Sequence, residues 1–473
     1  MDILNCVSPL DYRYYLVDEK LFKELNPYVS HQAQITYQLK VELALVKAMA
    51  NLGICPSSVA TEVEKVINNI TSQEILSEDK KIEHDIRALV RCIKNNVSQQ
   101  AEPYIHLFVT SADIVDTGNA CRYKDLINNV MVPKLIELEK ILIQLAFREK
   151  STLQIGRTHG KHAEPITFGF FLANYIDRIG KRICMLQETG NSLLGQISGA
   201  VGAYNSFSIV GEQFSISPTK FEQEVLRELG IKPVSISSQI VQPEPLLDLI
   251  YGVLSCFSIF ANLSDDMRHL MRSEIDEIDM IPIEKSIRVG SSTMPHKVNP
   301  WHFEHVKSMW KAFLPRIVTH MMDQISEHQR DLTNSASNRF ISELFTAFIH
   351  SMGRLSESLT KIEINKGNME KNLQMSKEYI IAEPLYTLLA INSFPSAYEY
   401  VKEIITQSRE TGKNFGDLIW EDKKIRPFLD HFTVTQKKIL KNPEKYVGIA
   451  EQKTEEICQH WIEVFQLNKN THL

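Results

Sequence analysis

The sequence predicts an all-α protein built as a bundle of long helices, and three observations support this fold class. Apolar residues recur at three- and four-residue steps over stretches well beyond the ~11 residues of an average helix. Candidate strands are few and short. The sequence contains no G-x-G-x-x-G segment after a strand and no P-loop, so neither a Rossmann fold nor a P-loop fold is indicated.

The composition narrows the class of protein further. The chain has 473 residues, of which 43% are hydrophobic and 23% charged, as in soluble globular proteins of two or three domains. Its net charge of −6 argues against a nucleic-acid partner. No apolar run reaches the ~18 residues of a membrane span and the N-terminus lacks a signal peptide, so we expect no membrane partner and a cytoplasmic location. Seven scattered cysteines without a C-x-x-C pair favour reduced thiols.

The predicted long helices are identified by their apolar stripes. The clearest stripe includes Leu249, Val253, Phe257, Phe260 and Leu263, in a stretch without proline. From the N-terminus onward, the predicted helices cover residues 113–150, 166–188, 246–278, 301–327 and 337–360. The best candidate strands are "TLQIGRTH", residues 152–159, and "GAVGAYN", residues 199–205.

Two stretches that interrupt the helical pattern, near residues 99–104 and 352–359, divide the chain into three predicted domains. They are an N-terminal helical domain (1–101), a central long-helix bundle (102–354) and a C-terminal helical domain (355–473). The central helices have wide apolar faces, and one chain cannot bury all of this apolar surface. We therefore expect a homo-oligomer.

One segment, "GSSTMPHKVNP" at residues 290–300, is a poor helix former inside the central domain. Pro295 and Pro300 lack a backbone donor, and Pro300 suits the first turn of a new helix with Asn299 as its cap. We interpret the segment as a flexible loop that brings Ser291 and Lys297 towards a helix N-terminus. The alternative is a surface loop with ordinary hydroxyl residues.

Five further clusters are polar where the surrounding sequence is helical. They contain Arg13 and Tyr14; His84 and Asp85; His106, Thr110, Ser111 and Asp113; Arg157, Thr158, His159, Lys161, His162 and Glu164; and Arg330, Ser335 and Arg339. Each has a structural alternative. Thr110 or Ser111 with Asp113 could cap a helix, a single histidine is often a hydrogen-bonded structural group, and the arginines could be ion-paired.

The cluster around His159 is the hardest to explain by structure alone, because imidazoles and charges crowd together between two glycines and a proline. A metal site formed by His159, His162 and Glu164 is an alternative to a catalytic role. However, residues i, i+3 and i+5 of an extended segment do not share one face as the ligands of H-E-x-x-H do on a helix.

Three of these segments resemble a known family. "GSSTMPHKVNP" closely resembles the signature of the fumarase/aspartase superfamily, and "TSADIVDT" and "GRTHGKHAEP" resemble its two other signature regions in the same order. Within the superfamily the chain is most similar to the adenylosuccinate lyase branch, through "MPHK", "SPLDYRY", "EHDI" and "QRDLTNS". The resemblance extends from "SPLDYRY" to about Arg339.

The resemblance implies elimination of fumarate from adenylosuccinate, giving AMP, and from the succinylated aminoimidazole carboxamide ribotide of purine biosynthesis. It implies no cofactor and no metal. It also implies a homotetramer with a central multi-helix bundle, whose active sites are shared among subunits.

The resemblance also implies roles for individual residues. Ser291 matches the general base, His159 the general acid and Glu304 the carboxylate that orients it; Lys297 and Asn299 match the groups that stabilise the carbanion. The predicted substrate-binding residues are Arg13, Tyr14, His84, Asp85, His106, Thr110, Ser111, Thr158, Gln239, Arg330, Ser335 and Arg339. Among these, Arg13, Arg330 and Arg339 suit a nucleotide phosphate.

Two other functions stay open at this stage. One is another fumarate-releasing lyase or a cycloisomerase of the superfamily, of the argininosuccinate lyase, fumarase or aspartase type, whose substrate carries no phosphate. The other is a non-catalytic scaffold on the same fold. The presence of Ser291, Lys297, Asn299, His159 and Glu304 argues against the scaffold.

Overall fold

The computed structural model describes residues 5–280, 293, 294, 297 and 299–467. The predicted all-α fold is confirmed, since the described residues form 23 α-helices and six short strands.

The first half of the chain contains twelve helices and four strands. They are α1 Tyr15–Val17, α2 Glu19–Val29, α3 His31–Asn51, α4 Ser57–Ile67, α5 Ser72–Ile82, α6 Asp85–Lys94, α7 Ser111–Leu126, α8 Val132–Arg148, β1 Leu153–Thr158, β2 Lys161–Thr167, α9 Phe168–Asn191, β3 Leu194–Gly195, α10 Asn205–Phe214, α11 Pro218–Glu228, β4 Lys232–Pro233 and α12 Glu244–Leu270.

The second half contains the remaining helices and strands. They are β5 Ile278–Met280, α13 Trp301–Phe313, α14 Arg316–Met322, α15 Ile341–Thr360, β6 Ile362–Ile364, α16 Lys366–Gln374, α17 Lys377–Ile380, α18 Ala382–Ile391, α19 Ala397–Thr411, α20 Phe415–Glu421, α21 Arg426–His431, α22 Val434–Lys441 and α23 Ala450–Val464.

The strands form three separate two-stranded sheets in the described residues. β1 and β2 are an antiparallel hairpin, β3 pairs with β4 in parallel, and β5 pairs with β6 antiparallel. The prediction of a strand at 152–159 is therefore confirmed. The prediction of a strand at 199–205 is wrong, because Gly199, Gly202 and Tyr204 have positive φ angles of 80°, 75° and 55°. A Cβ on Gly202 would lie 2.3 Å from the carbonyl oxygen of Ser237, so the turn admits no side chain there.

The predicted long helices are present with two corrections. The helix predicted for 301–327 is interrupted between α13 and α14, since Pro315 cannot donate a backbone hydrogen bond. The helix predicted for 246–278 ends at Leu270. The residues that follow adopt turns, in which Asp276 has a φ of 48°.

Helix α12 bears on the expectation that the chain has no membrane span. Among the described helices it is the one that is long and apolar enough, by length and composition, to cross a membrane. Of its most apolar window, 61% is buried inside the protein. The core helix of a soluble protein meets the same criterion, so the finding is weak evidence for a membrane span.

The chain divides into two compact units, each assembled from three segments. Unit 1 comprises 1–135, 181–258 and 308–353, and unit 2 comprises 136–180, 259–307 and 354–473. The division into three consecutive domains at residues 101 and 354 stays a prediction.

Each unit has a core of its own. In unit 1, Phe257 packs edge-on against Phe348 at 5.5 Å between ring centroids, and Tyr123 packs against Phe345 at 5.2 Å. In unit 2, the C-terminal helices α18–α22 share an apolar cluster that includes the buried Phe415.

Candidate active site

The predicted site residues fall into two groups, one in each unit. Unit 1 contains Arg13, Tyr14, His84, Asp85, His106, Thr110, Ser111, Gln239, Arg330, Ser335 and Arg339, and unit 2 contains Thr158, His159, Lys297, Asn299 and Glu304. Ser291, the predicted base, lies outside the described residues.

The first group is built around the start of α7. The backbone N–H of Thr110 donates to Asp113 Oδ2 at 2.8 Å, and the N–H of Asp113 donates to the Thr110 carbonyl at 3.1 Å. The capping role suggested for Asp113 is thus confirmed. Thr110 and Ser111 are half-buried.

Asp113 also binds a loop that is distant in sequence. Its two carboxylate oxygens accept hydrogen bonds from the N–H groups of Ser198 at 3.0 Å and Gly199 at 3.1 Å. Burial raises the pKa of Asp113 to about 6, and the backbone hydrogen bonds oppose that rise. One fully buried carboxylate therefore joins the start of α7 to the loop at 198–199.

A second buried carboxylate, Glu222 on α11, completes the support of this loop. Its Oε1 accepts the N–H of Ile197 at 2.8 Å, and its Oε2 accepts the hydroxyl of Tyr204 at 2.8 Å. Three consecutive N–H groups, from residue 197 to 199, are therefore bound by two buried acidic side chains. Neither acid was singled out by the sequence as a support for this loop.

Gln239 is held against the same loop. The side-chain amide of Gln239 donates to the Ala200 carbonyl at 2.7 Å. The backbone carbonyl of Gln239 accepts from Gln196 Nε2 at 2.5 Å. Its backbone N–H donates to the carbonyl of Gln329 at 3.2 Å. The structure therefore brings Gln239 and the residue before Arg330 together.

Arg330 lies within electrostatic reach of Asp116 on α7. Burial raises the pKa of Asp116 to about 6, while the N–H of Val241 and the charge of Arg330 act to lower it. Helix α7, Gln239 and Arg330 thus form one assembly inside unit 1. Arg13, Ser335 and Arg339 are exposed in the same unit.

The remaining predicted residues of unit 1 have definite local partners. His84 caps α6, because its Nδ1 accepts the N–H of Arg87 at 3.3 Å. Asp85 is exposed. The Tyr14 ring lies 5.2 Å from the ring of the buried His350.

His106 approaches Glu42, a residue that the sequence analysis did not single out. Its Nδ1 lies 2.6 Å from Glu42 Oε1.

The second group is centred on the hairpin of β1 and β2. Thr158 pairs with Lys161, which leaves a two-residue turn of His159 and Gly160. Their φ angles are 52° and 73°, as a type I′ hairpin turn requires. His159 is exposed at the tip, in a left-handed conformation that glycine, asparagine, aspartate and histidine adopt more often than other residues. The expectation of an extended segment through His159 and His162 is corrected to a tight hairpin.

The hairpin is supported by Glu277. Arg157 donates two hydrogen bonds to this fully buried carboxylate, at 2.6 and 3.2 Å. Gln154 and Asn372 add amide donors at 2.8 and 2.9 Å. The carboxylate is therefore both paired and fully hydrogen-bonded, which keeps its burial from being costly.

Other side chains of the hairpin have partners of their own. His162 Nδ1 lies 2.8 Å from the Ser376 hydroxyl, and burial lowers the pKa of His162. A shared hydrogen bond with Glu383 raises the pKa of Glu164 to about 7. Within the described residues, no group of three or more His, Cys, Asp or Glu side chains is arranged to hold a metal ion.

Helix α13 begins directly after Pro300, as predicted, and Glu304 lies in its first turn. In the described part of unit 2, Glu304 forms an ion pair with Arg268, with 3.7 Å between its Oε1 and the arginine Nε. Lys297 is exposed and Asn299 is half-buried. Pairing of Glu304 with His159 stays a prediction.

Comparison with known proteins gives the family. The model of the lyase family matches residues 13–312, and the model of the adenylosuccinate lyase C-terminal region matches residues 326–447. The chain belongs to the adenylosuccinate lyase family of the fumarase/aspartase superfamily. It is an enzyme of the lyase class.

Individual relatives agree with this assignment. The chain is 30% identical to the adenylosuccinate lyase of Methanocaldococcus jannaschii, over 96% of each chain. It is 31% identical to that of Pyrococcus horikoshii, over 96% of this chain and 98% of the relative.

Solved structures share the fold. A fumarate lyase from Mesorhizobium sp. BNC1 matches with a TM-score of 0.79 at 19% identity, over 92% of this chain and 97% of the other. A 3-carboxy-cis,cis-muconate lactonizing enzyme from Pseudomonas putida matches with a TM-score of 0.79 at 19% identity, over 95% of this chain and all of the other.

Proposed function

We propose that this enzyme cleaves adenylosuccinate to AMP and fumarate, and cleaves the succinylated aminoimidazole carboxamide ribotide in the same way. The observation that carries the proposal is the similarity to adenylosuccinate lyases over 96% of the chain, together with the C-terminal family model at residues 326–447. The proposed setting is purine nucleotide synthesis in the cytoplasm, by a homotetramer with shared sites and no cofactor or metal.

The proposed chemistry is an elimination in two proton transfers. Ser291 removes a proton from the carbon next to a succinyl carboxylate, and the electron pair spreads onto that carboxylate. Lys297 and Asn299 stabilise this charge. The carbon–nitrogen bond then breaks, fumarate forms, and His159 donates a proton to the departing nitrogen, oriented by Glu304.

The proposed binding residues divide by the part of the substrate they meet. Thr110, Ser111 and Thr158 hold the succinyl carboxylates, and His84, Asp85, His106 and Gln239 line the nucleotide. Arg13, Tyr14, Arg330, Ser335 and Arg339 meet the phosphate. Thr110 and Ser111 are half-buried and lie at the start of α7, where Asp113 binds the loop at 198–199, which suits a fixed carboxylate site. The exposed Arg339 suits a phosphate contact.

A second candidate function comes from one relative. The chain is 28% identical to the N-acetyl-S-(2-succino)cysteine lyase of Enterococcus italicus, over 93% of this chain and 94% of the relative. That name describes a succinyl compound without a nucleotide. The predicted phosphate residues would then have no ligand, which makes phosphate dependence the deciding property.

The test is a substrate panel with a matched pair of arginine variants. The wild-type enzyme should release fumarate and AMP from adenylosuccinate, and little fumarate from argininosuccinate, malate or N-acetyl-S-(2-succino)cysteine. Arg339→Ala should raise KM for adenylosuccinate about ten- to a hundredfold, the loss of a charge-assisted contact. Arg227→Ala, which removes an exposed arginine paired with Glu224 on α11, should leave KM unchanged. Preference for a substrate without phosphate would overturn the proposal.

A further inference from the structure

Glu42 and His106 form a buried pair in unit 1. Glu42 lies in the middle of α3 with 1% of its side chain exposed, and His106 lies between α6 and α7 with 8% exposed. The 2.6 Å separation of Glu42 Oε1 and His106 Nδ1 is that of a short, charge-assisted hydrogen bond.

This contact fixes the state of the imidazole ring. A carboxylate only accepts hydrogen bonds, so the proton of the contact must sit on His106 Nδ1. The ring orientation is thereby set, and Nε2 is the ring nitrogen left for a different partner. Nε2 accepts a hydrogen bond when the ring is neutral and donates one when both ring nitrogens carry a proton.

Stability alone is a poor reason for this arrangement. Glu42 Oε2 has no hydrogen-bond partner among the described residues, so the carboxylate is buried with only part of its hydrogen-bonding capacity used. Apolar residues of similar size would fill the same space at lower cost. The backbone at His106 and Phe108 is also left-handed, with φ angles of 60° and 71°, and such strain concentrates at functional sites.

We propose that Glu42 is a positioning residue for substrate binding, which holds the His106 ring so that, with a proton on both ring nitrogens, Nε2–H donates to an anionic oxygen of the substrate. The inference rests on the proposed function, in which His106 lines the nucleotide site. With substrate bound, the imidazolium lies between two anions, the Glu42 carboxylate behind it and the substrate oxygen in front. That oxygen belongs to a carboxylate or to the phosphate, and the experiment distinguishes them.

The experiment is a kinetic double-mutant cycle. Glu42→Gln keeps the size of the side chain and an oxygen that can accept the Nδ1 proton, but removes the charge. We expect KM for adenylosuccinate to rise about tenfold, as for a weakened charge-assisted contact, with kcat changed much less. His106→Ala should raise KM at least as much. The double variant should be no worse than His106→Ala alone, because Glu42 acts through the imidazole.

A matched control and a product series complete the design. Glu64, on α4, pairs with Lys47, which lies on α3 like Glu42. Glu64→Gln removes this carboxylate and should leave KM unchanged. Weaker inhibition of Glu42→Gln by AMP would assign the Nε2 contact to the phosphate, and weaker inhibition by fumarate would assign it to a carboxylate.

Three results would overturn the inference: an unchanged KM in Glu42→Gln, additive effects in the double variant, or unchanged inhibition by both products. The wild-type substrate panel tests the proposed function separately. If another substrate of that panel is preferred, the cycle is run with that substrate and the same three results decide.

Discussion

The two groups of predicted site residues are supported in different ways. Around the start of α7 in unit 1, buried carboxylates bind backbone N–H groups directly, as Asp113 does for residues 110, 198 and 199. In unit 2, the buried Glu277 binds a side chain, Arg157, two residues before the exposed His159. One support fixes the backbone that carries the predicted binding residues, and the other fixes the base of a hairpin and leaves its tip accessible.

The difference separates two requirements of the proposed reaction. A binding residue must stay in place, so anchoring its backbone in the interior is effective. A proton donor must reach its partner, and an exposed residue at the tip of a supported hairpin combines access with a defined position. The comparison predicts that changes at the tip affect activity without stability, and that changes at the buried carboxylates affect stability first.

The largest effect is expected at the tip. His159→Asn should lower kcat about 10²–10⁴-fold, the usual contribution of a general acid. Asparagine tolerates the left-handed conformation of the turn, so the melting temperature should stay the same. His159→Ala should lose as much activity and little stability, because histidine and alanine both have a Cβ at this positive φ. Fumarate release and thermal unfolding measure the two properties, and an active His159→Asn would remove the histidine from the mechanism.

The next effect concerns the base of the hairpin. Arg157→Ala leaves the carboxylate of Glu277 buried without its cation and should destabilise the protein by about 3–5 kcal/mol. Replacing both residues by methionine should recover much of this loss. Thermal unfolding checks both expectations.

The pair of Arg91 and Glu78, in which the arginine is exposed, is the reference for this comparison, and Arg91→Ala should cost less than about 1 kcal/mol. If the two arginine variants lost equal stability, Glu277 would not be the support of the hairpin.

The smallest effect is expected at Asp113 and depends on pH. Asp113→Asn keeps one acceptor oxygen and should cost about 1–3 kcal/mol at pH 7, since buried N–H groups lose their partners. Burial raises the pKa of Asp113 to about 6, above the ~3.9 of an unfolded chain. The folded wild type therefore binds the extra proton more tightly, and its stability relative to the variant should increase by about 1 kcal/mol between pH 7 and pH 5.

Melting temperatures at the two pH values measure this change. Glu78→Gln is the control of opposite sign, since hydrogen bonds from Lys81 and Arg91 lower the pKa of Glu78. The stabilising contribution of Glu78 is lost only as the pH falls below the usual pKa of a carboxylate. The stability difference between the wild type and Glu78→Gln should therefore not increase between pH 7 and pH 5. If the stability difference between the wild type and Asp113→Asn instead became smaller from pH 7 to pH 5, burial would not be raising the pKa of Asp113.

Local signals in the sequence predicted much of the fold. The Thr110–Asp113 cap depends on residues three apart, and the stripe of α12 repeats every turn, so both are visible in a short window. The break before α14 was also visible as Pro315 and was missed in favour of the apolar pattern.

The supports of the site could not be predicted in this way. Glu42, Glu222 and Glu277 have no distinctive local sequence, and their partners lie 64, 25 and 120 residues away. Only the folded chain shows that each carboxylate is buried and what it binds. The sequence identified the residues proposed to meet the substrate and gave no indication of those that hold them in place.

The separation of Arg157 and Glu277 also has a consequence for synthesis of the chain. The hairpin is local and its turn can form as soon as residues 153–167 have left the ribosome. Glu277 is made 120 residues after Arg157, which at ~5–20 residues per second is a delay of roughly 6–24 s. During that interval the nascent hairpin carries an arginine whose counter-charge does not yet exist, so the segment that bears His159 acquires its final support only after more than half of the chain has been translated.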